Sequence, residues 1–482
     1  MPESEVHVLI RLGAELTIKS RRTRSSFQQR LIRNLKDAMK SVDAPAQVDS
    51  AWGRVYARTN AVGAEVLPRV FGVSSVSRVE RVVPAELPAI TAAGVELFAD
   101  RVEGKRFAVR ARRIGKQGFH SKDIEIQLGS ALFPFAAGVD LTHPEITVNV
   151  EVRAEQAYLF AERTPGPGGL PLGVEGRAVA LLSGGYDSAV AAWLMLKRGI
   201  ELDYVFCNLG GDAYERAVVQ VGKMIADDWS YGSRPQLHVI DFHDVLDELR
   251  AKSRASYWQV VLKRLMYRAA SMIGAESRAE AIITGEAVGQ VSSQTLSNLR
   301  AIEPAADLPL FRPLLGFDKG EIIDRARAIG TAALSEQVKE YCAIAPGRPV
   351  TAASVDSVAA EEALLDAAVL RHAVQQRRVL DLRALTATDL VAPYLFTTEV
   401  PEGAVVIDCR TDSQYRTWHY PGAQHRDEWE LLKRFKELDR ERKYVLYCAH
   451  GVQSAYIAER MQRAGYEAYS FKGGVGGLMR WE

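Results

Sequence analysis

Two short stretches of the chain carry residue types that do chemistry. The first, Ser183-Gly-Gly-Tyr-Asp-Ser188, follows the apolar run Ala178-Val-Ala-Leu-Leu182 and precedes a helix-patterned segment, Ser188 to Arg198. Between a strand and a helix, glycines let backbone N–H groups approach an anion, and the helix turns its positive end to the same spot. That is a pyrophosphate-binding arrangement. No Gly-Lys-Ser/Thr follows, so it is not the Walker loop. The second stretch is Val445-Leu-Tyr-Cys-Ala-His-Gly-Val-Gln-Ser454, with a helix pattern continuing through Tyr456, Ile457 and Met461. A cysteine at a strand end, on a loop that enters a helix N-terminus, sits among backbone donors that favour a thiolate or perthiolate. That is a nucleophile's position. The bland alternatives are an ordinary tight turn and a small buried cysteine. The strand–loop–helix context of each stretch weighs against them.

These loops need domains to hold them, and 482 residues are too many for one core. Three or four domains are expected. Apolar residues at 47% and charged residues at 25% fit a globular chain rather than a disordered one. The N-terminus lacks a basic start followed by an apolar stretch, and no run of about 18 apolar residues occurs. These features predict a cytoplasmic protein with no membrane segment. Four cysteines, Cys207, Cys342, Cys409 and Cys448, do not make a disulfide framework. Without C-x-x-C or H-E-x-x-H spacing, no protein-ligated metal centre is expected.

The strand His7 to Gly13 and the helix Ser25 to Met39, with Phe27, Leu31, Leu35 and Met39 on one face, open an α+β domain over residues 1–60. Residues 61–165 form a second α+β unit that includes the stretch Val70 to Val79, the basic strand Arg106 to Arg112 and the alternating strand Glu145 to Arg153. The turn-rich segment Thr164 to Gly173 marks the boundary to a third domain, 175–385, in which buried strands and helices alternate as in a doubly wound parallel sheet. Residues 386–403 read as a linker and 404–482 as a compact α/β domain.

Net charge is only +1, but its distribution is uneven. Lys19, Arg21, Arg22, Arg24, Arg30, Arg33 and Lys36 occur with no carboxylate between them, and Lys105, Arg106, Arg110, Arg112, Arg113, Lys116 and Lys122 form a second such run. Two acid-free basic runs in the N-terminal half fit RNA phosphates as well as they fit a solvated face.

The Ser183–Ser188 loop resembles that of the PP-loop ATP pyrophosphatases. The resemblance implies that Ser183, Gly184, Gly185 and Ser188 bind pyrophosphate and that Asp187 helps hold Mg2+. The terminal domain resembles rhodanese: Asp408 and Arg410 end a strand, then come His419-Tyr-Pro-Gly-Ala423, the Cys448 loop, Lys472-Gly-Gly474 and Trp481. Rhodanese loops often carry Arg where Gln453 stands, which argues against thiosulfate as donor and leaves persulfide carriage intact.

Three further stretches, Val261-Leu-Lys-Arg-Leu-Met266, Ile283-Thr-Gly-Glu-Ala-Val-Gly-Gln-Val-Ser-Ser-Gln-Thr295 and Arg312-Pro-Leu-Leu-Gly-Phe-Asp-Lys319, together with the domain order, resemble the tRNA 4-thiouridine synthase (tRNA sulfurtransferase) family over essentially the whole chain. That resemblance implies a multidomain α/β and α+β architecture: ferredoxin-like and THUMP domains, a doubly wound PP-loop domain and a rhodanese-like α/β domain. It implies ATP contacts from Leu181, Leu182, Lys263, Gly285 and Gln294, with Asp187 and Lys319 required for activation, and tRNA binding by the basic N-terminal domains, through Arg21, Arg22, Arg24, Lys105, Arg110, Arg112, Arg113 and Lys116. It further implies a relay. A cysteine desulfurase loads Cys448, ATP adenylates the O4 oxygen of uridine 8, sulfur replaces AMP, and Cys342, in Glu340-Tyr-Cys-Ala-Ile-Ala-Pro346, closes a disulfide with Cys448 that a reductant reopens. Read alone, Cys342 is structural; Cys207 and Cys409 read as core. Sulfur supply to a carrier protein of thiamine synthesis and a homodimeric state complete the implied picture. Two rivals are another PP-loop transferase, which does not predict a fused rhodanese domain, and an RNA-bound sulfur carrier without ATP chemistry, which the intact loop and Lys319 argue against.

Overall fold

The computed structural model describes residues 5–51, 54–209, 211–336, 338, 348–390, 395–449 and 451–481. The chain forms two compact units, residues 1–171 and 172–482.

The first unit holds two five-stranded sheets. Strands β1 (Val6–Leu12), β2 (Gln47–Ala51), β3 (Arg54–Thr59), β4 (Val73–Val79) and β10 (Thr164–Pro165) form one antiparallel sheet in the order β10-β4-β1-β3-β2. Against this unit packs the helix Arg21–Lys40. Ser20 caps it by accepting from the Thr23 N–H, and Phe27, Leu31, Leu35 and Met39 are buried as their spacing predicts. The second sheet, β5-β9-β8-β6-β7, is built from β5 (Arg81–Pro84), β6 (Arg106–Ile114), β7 (Gly138–Val139), β8 (Ile146–Arg153) and β9 (Gln156–Phe160). The helices Leu87–Val102 and Ser121–Leu132 pack on it around Ile90, Phe98, Phe107, Ile124, Leu128, Val148 and Val150. Val73–Val79 lies in the stretch expected to open the second module, yet it pairs with β1 and belongs to the first sheet. Thr164–Pro165 returns to β4 from beyond the second sheet. Strand pairing between segments about 90 residues apart leaves no local trace in the sequence.

Both faces of β8 are buried toward its end, and there the apolar pattern breaks at Glu151 and Arg153, each 2% exposed. The Glu151 carboxylate accepts from Arg11 Nη2 (3.0 Å) on β1, Arg54 Nε (2.7 Å) on β3 and Arg153 Nε (3.0 Å), tying the two sheets together. Burial works to raise the Glu151 value, but the Arg153 hydrogen bond and the charges of Arg11 and Arg54 win and hold it below the usual carboxylate range.

In the second unit, β11 (Arg177–Leu181), β12 (Glu201–Asn208), β13 (Gln236–Asp241), β14 (Ile282–Ile283), β15 (Leu310–Phe311) and β16 (Arg378–Asp381) form a sheet in the order β15-β14-β11-β12-β13-β16. All pairs are parallel except the edge strand β16, antiparallel to β13. The doubly wound expectation holds for the parallel part, with a reversed edge. Strand order departs in both directions from β11, so a crevice opens at the carboxyl ends of β11 and β14, where such sheets bind ligands. The last sheet, β17-β21-β20-β18-β19, is wholly parallel: β17 (Phe396–Thr397), β18 (Val405–Asp408), β19 (Gln424–His425), β20 (Lys443–Tyr447) and β21 (Glu467–Phe471). β17 falls inside the stretch expected to be linker and instead pairs with β21. Among the described residues no helix is long and apolar enough to cross a membrane.

Removing one partner of a buried ion cluster strands the others, so Glu151→Gln is expected to cost about 3–5 kcal/mol in denaturant unfolding of the first unit. Because the native value is depressed, the Glu151 contribution is fully present above the unfolded glutamate value of about 4.3 and is lost as pH falls below it. Acid titration of the unfolding midpoint should show that loss in the wild-type protein and not in Glu151→Gln.

Candidate active site

The loop between β11 and the helix Tyr186–Leu196 turns at Gly184, whose φ of +78° suits glycine. Ser188 Oγ sits 3.2 Å from both the Ser183 N–H and Ser183 Oγ and donates to the Gly185 carbonyl at 3.2 Å, while Tyr214 Oη donates to the Ser183 carbonyl at 3.2 Å. The turn is therefore fixed by side chains on both flanks, and the first amides of an 11-residue helix are left facing the crevice.

The loop after β14 closes the other wall. A Cβ on Gly285 would lie 2.6 Å from Asp187 C and from Ser188 N, so only glycine permits this approach. Asp187, in the first turn of the helix, receives Lys319 Nζ at 2.9 and 3.0 Å and Gln290 Nε2 at 3.1 Å. Lys319 opens the helix Lys319–Ile329, placed by the Asp318–Glu321 capping box and ended by Gly330 in the left-handed region. Gln294 Oε1 accepts from the Ala287 N–H at 3.2 Å and braces the same loop.

Between these walls lies a cavity of about 320 Å³. Leu181, Leu182, Ser183, Gly185, Asp187, Ser188, Lys263, Gly285, Gln294 and Lys319 line it, so the residues singled out from separate stretches of sequence converge; Gly184 shapes the turn without lining the cavity. Val205, Phe206, Leu209 and Met266 give the cavity an apolar part, and Thr284, Glu286, Gln290, Ser293 and Glu336 add polar groups that the sequence did not single out. For the first four the signal lay in the quoted 283–295 stretch, but side-chain direction there is set by the loop; Glu336 lies outside every quoted stretch. Cys207, read as core, is buried and also lines this cavity. Among the described residues no cluster of three carboxylate, histidine or cysteine groups could hold a metal alone. The donor set fits only a hard cation bound chiefly by phosphate and water with the Asp187 carboxylate as one ligand, in place of the Lys319 pair.

Cys448 follows β20 and is 2% exposed. Its Sγ receives the Gly451 N–H at 3.1 Å, the Ser454 N–H at 3.5 Å and Ser454 Oγ at 3.4 Å, at the N-terminus of the 12-residue helix Val452–Arg463. These donors stabilise negative charge on sulfur. Ser454 Oγ meets Ser470 Oγ at 2.8 Å, and Gly474, with φ +58°, lets the following helix cross the loop: a Cβ there would stand 2.5 Å from the Cys448 carbonyl oxygen. Beneath, Asp408 and Arg410 form a fully buried pair at 2.7 Å, joined by Tyr447 Oη to Asp408 at 2.7 Å. Cys409 is core, as expected. Cys342 lies outside the described residues.

Of the basic residues, Arg21, Arg22 and Arg24 are exposed in the first turn of their helix, a turn that itself holds no acidic residue. Lys105, Arg110, Arg112 and Lys116 are exposed, though Arg110 donates to the Leu141 carbonyl. Arg113 is half-buried and donates to the Gly115 carbonyl (2.7 Å) and Gln117 Oε1 (3.1 Å), so it braces its own turn instead of facing outward.

Gly285→Ala should force the two walls apart, costing about 1–3 kcal/mol by overpacking against backbone; thermal unfolding would measure it, and an unchanged midpoint would contradict the close approach.

Comparison with known proteins follows the same division. A family model described as "Thiamine biosynthesis protein (ThiI)" matches residues 173–366, a ThiI ferredoxin-like domain 7–77, a THUMP domain 84–162 and a rhodanese-like domain 396–480. A tRNA sulfurtransferase of Pyrobaculum aerophilum is 38% identical over 473 residues, 96% of each chain, and one of Desulfurococcus amylolyticus is 36% identical over 471 residues, 97% of each. A crystal structure of a 4-thiouridine synthetase–RNA complex with bound ATP superposes with a TM-score of 0.69 at 29% identity, covering 78% of this chain and 99% of that one. The protein PH1313 from Pyrococcus horikoshii gives 0.55 at 27% identity, covering 67% and 99%. With similarity at this level along nearly its full length, the chain belongs to the tRNA sulfurtransferase family.

Proposed function

We propose that this chain is an ATP-dependent enzyme that makes 4-thiouridine at position 8 of tRNA, with Cys448 carrying the sulfur as a persulfide. The observation that carries the reading is the presence in one chain of a phosphate-cradling crevice and a cysteine whose sulfur receives three donors at a helix N-terminus. A uridine O4 is a poor leaving group. In the proposed scheme O4 attacks the α-phosphate of ATP, pyrophosphate departs, and the resulting adenylate makes AMP the leaving group.

The parts have separate tasks. The Ser183–Ser188 amides and hydroxyls hold the pyrophosphate, Leu181, Leu182, Gly285, Gln294 and Lys263 contact the nucleotide, and Lys319 offsets charge on the phosphates once it leaves Asp187. The Asp187 carboxylate is then available for the Mg2+ that accompanies ATP, which would add charge stabilisation at the phosphates. The terminal persulfide sulfur attacks C4 and AMP leaves. The Cys342 thiolate attacks Cys448 Sγ, the S–S bond breaks toward the nucleotide, and its electron pair completes the thiocarbonyl. A Cys342–Cys448 disulfide remains, which a dithiol reductant reopens. A cysteine desulfurase supplies the next sulfur, and the same persulfide would serve a sulfur carrier protein of thiamine synthesis. Arg21, Arg22, Arg24, Lys105, Arg110, Arg112 and Lys116 hold tRNA phosphates; a homodimer is part of the proposal.

Incubation with ATP, a persulfide donor and unmodified tRNA should yield an oxygen-to-sulfur mass shift in one uridine that requires ATP. A shift of equal size without ATP would sink the reading. Lys319→Met should lower the rate about 100-fold, and Cys448→Ser should abolish it. Without added thiol, Cys342→Ala should stall with the tRNA joined to Cys448 through a disulfide and release no 4-thiouridine; full multiple turnover would remove Cys342 from the scheme.

A further inference from the structure

Glu286 stands at the carboxyl end of β14, lines the crevice, and is only 2% exposed, yet no step above uses it. A carboxylate in the wall of a polyanion site repels the ligand, and a buried charge destabilises unless it is matched. Its two oxygens are treated differently. Oε2 accepts from Tyr267 Oη at 2.5 Å, Thr284 Oγ1 at 3.1 Å and Arg312 Nε at 2.9 Å. Oε1 is buried without a hydrogen bond and faces Lys263 Nζ at 3.8 Å, within ion-pair reach and beyond hydrogen-bond reach.

Those donors come from three separate places. Tyr267 lies on the helix Trp258–Ser277, Thr284 follows β14, and Arg312 follows β15, where its other arm donates to Glu303 at 2.8 Å. The carboxylate is thereby pinned. Burial and the neighbouring Glu286 charge push the Tyr267 hydroxyl well above its ordinary value, which keeps it a donor. Lys263 precedes Tyr267 by four residues on one helix face, so its ammonium and the Tyr267 hydroxyl reach the same carboxylate.

We propose that Glu286 is a positioning residue: pinned through Oε2, it uses Oε1 to hold the flexible Lys263 side chain over the phosphate cradle, so that the ammonium is pre-aimed at the nucleotide. The inference rests on the reading of this crevice as an ATP site and adds a residue that acts through another. Its sign separates it from a charge effect. By Coulomb's law alone, removing the Glu286 charge should tighten binding of ATP; if Glu286 positions Lys263, removal weakens it.

The test is a double-mutant cycle on the full-length protein, with equilibrium binding of labelled ATP measured without RNA. Glu286→Gln should weaken ATP binding about 10-fold when Lys263 is present and less than about 2-fold in a Lys263→Met background. Tighter binding in Glu286→Gln, or the same factor in both backgrounds, overturns the proposal. If Glu286→Gln does not fold, Glu286→Asp, which keeps the charge and shortens the reach, takes its place in the cycle with the same expectation. A protein that shows this coupling but adds no sulfur to tRNA would overturn the proposed function and leave the Glu286 role supported; one that binds no ATP would overturn both.

Discussion

The crevice exists because two loops touch backbone to backbone. Gly285 lies so close to Asp187 and Ser188 that a methyl group would not fit, and this contact joins the carboxyl ends of β11 and β14 where the strand order reverses. Much of the site follows from it. With Gly285 against the helix N-terminus, Gln290 reaches the Asp187 carboxylate, Gln294 braces the loop, and Glu286 is turned toward Lys263. The Lys319–Asp187 pair closes the same mouth from the opposite helix. Charge is balanced pairwise across the gap, so a polyphosphate entering it competes with internal ion pairs and does not meet bare cations.

The two reactive loops use one local device for different ends. Each is a strand, a glycine-bearing turn and a helix N-terminus. In the Ser183–Ser188 loop the side chains brace the turn and leave the leading amides to an outside anion. In the Cys448 loop the Gly451 and Ser454 amides are already committed to one sulfur inside the protein. The first arrangement suits a ligand that comes and goes; the second suits an atom that stays attached and changes its chemistry.

The sequence disclosed these devices because each is local. The apolar run before Ser183, the turn residues and the helix period after it lie within about twenty residues, and the same holds around Cys448. Lys263, Gly285, Gln294 and Lys319 were legible only through family resemblance, since nothing in their own neighbourhoods shows that they converge. Glu286 and Gln290 were quoted within a motif but given no task, because a loop's side-chain directions depend on what the loop packs against. Arg113 shows a related limit: on a basic strand the exposed alternation includes Arg110 and Arg112, and Arg113 is bonded into its own turn, which its sequence neighbourhood does not show. The membership of Val73–Val79 in the first sheet and of Phe396–Thr397 in the last depends on partners far away in the chain.

The buried cluster around Glu151 has a consequence for how such a chain can evolve. Its carboxylate comes from one sheet and two of its three guanidiniums from the other. A recombination event that exchanged either sheet alone would inherit unmatched buried charge, which penalises exchanging one N-terminal module without the other. The two modules carry separate fold names, but for an exchange of parts they behave as one piece.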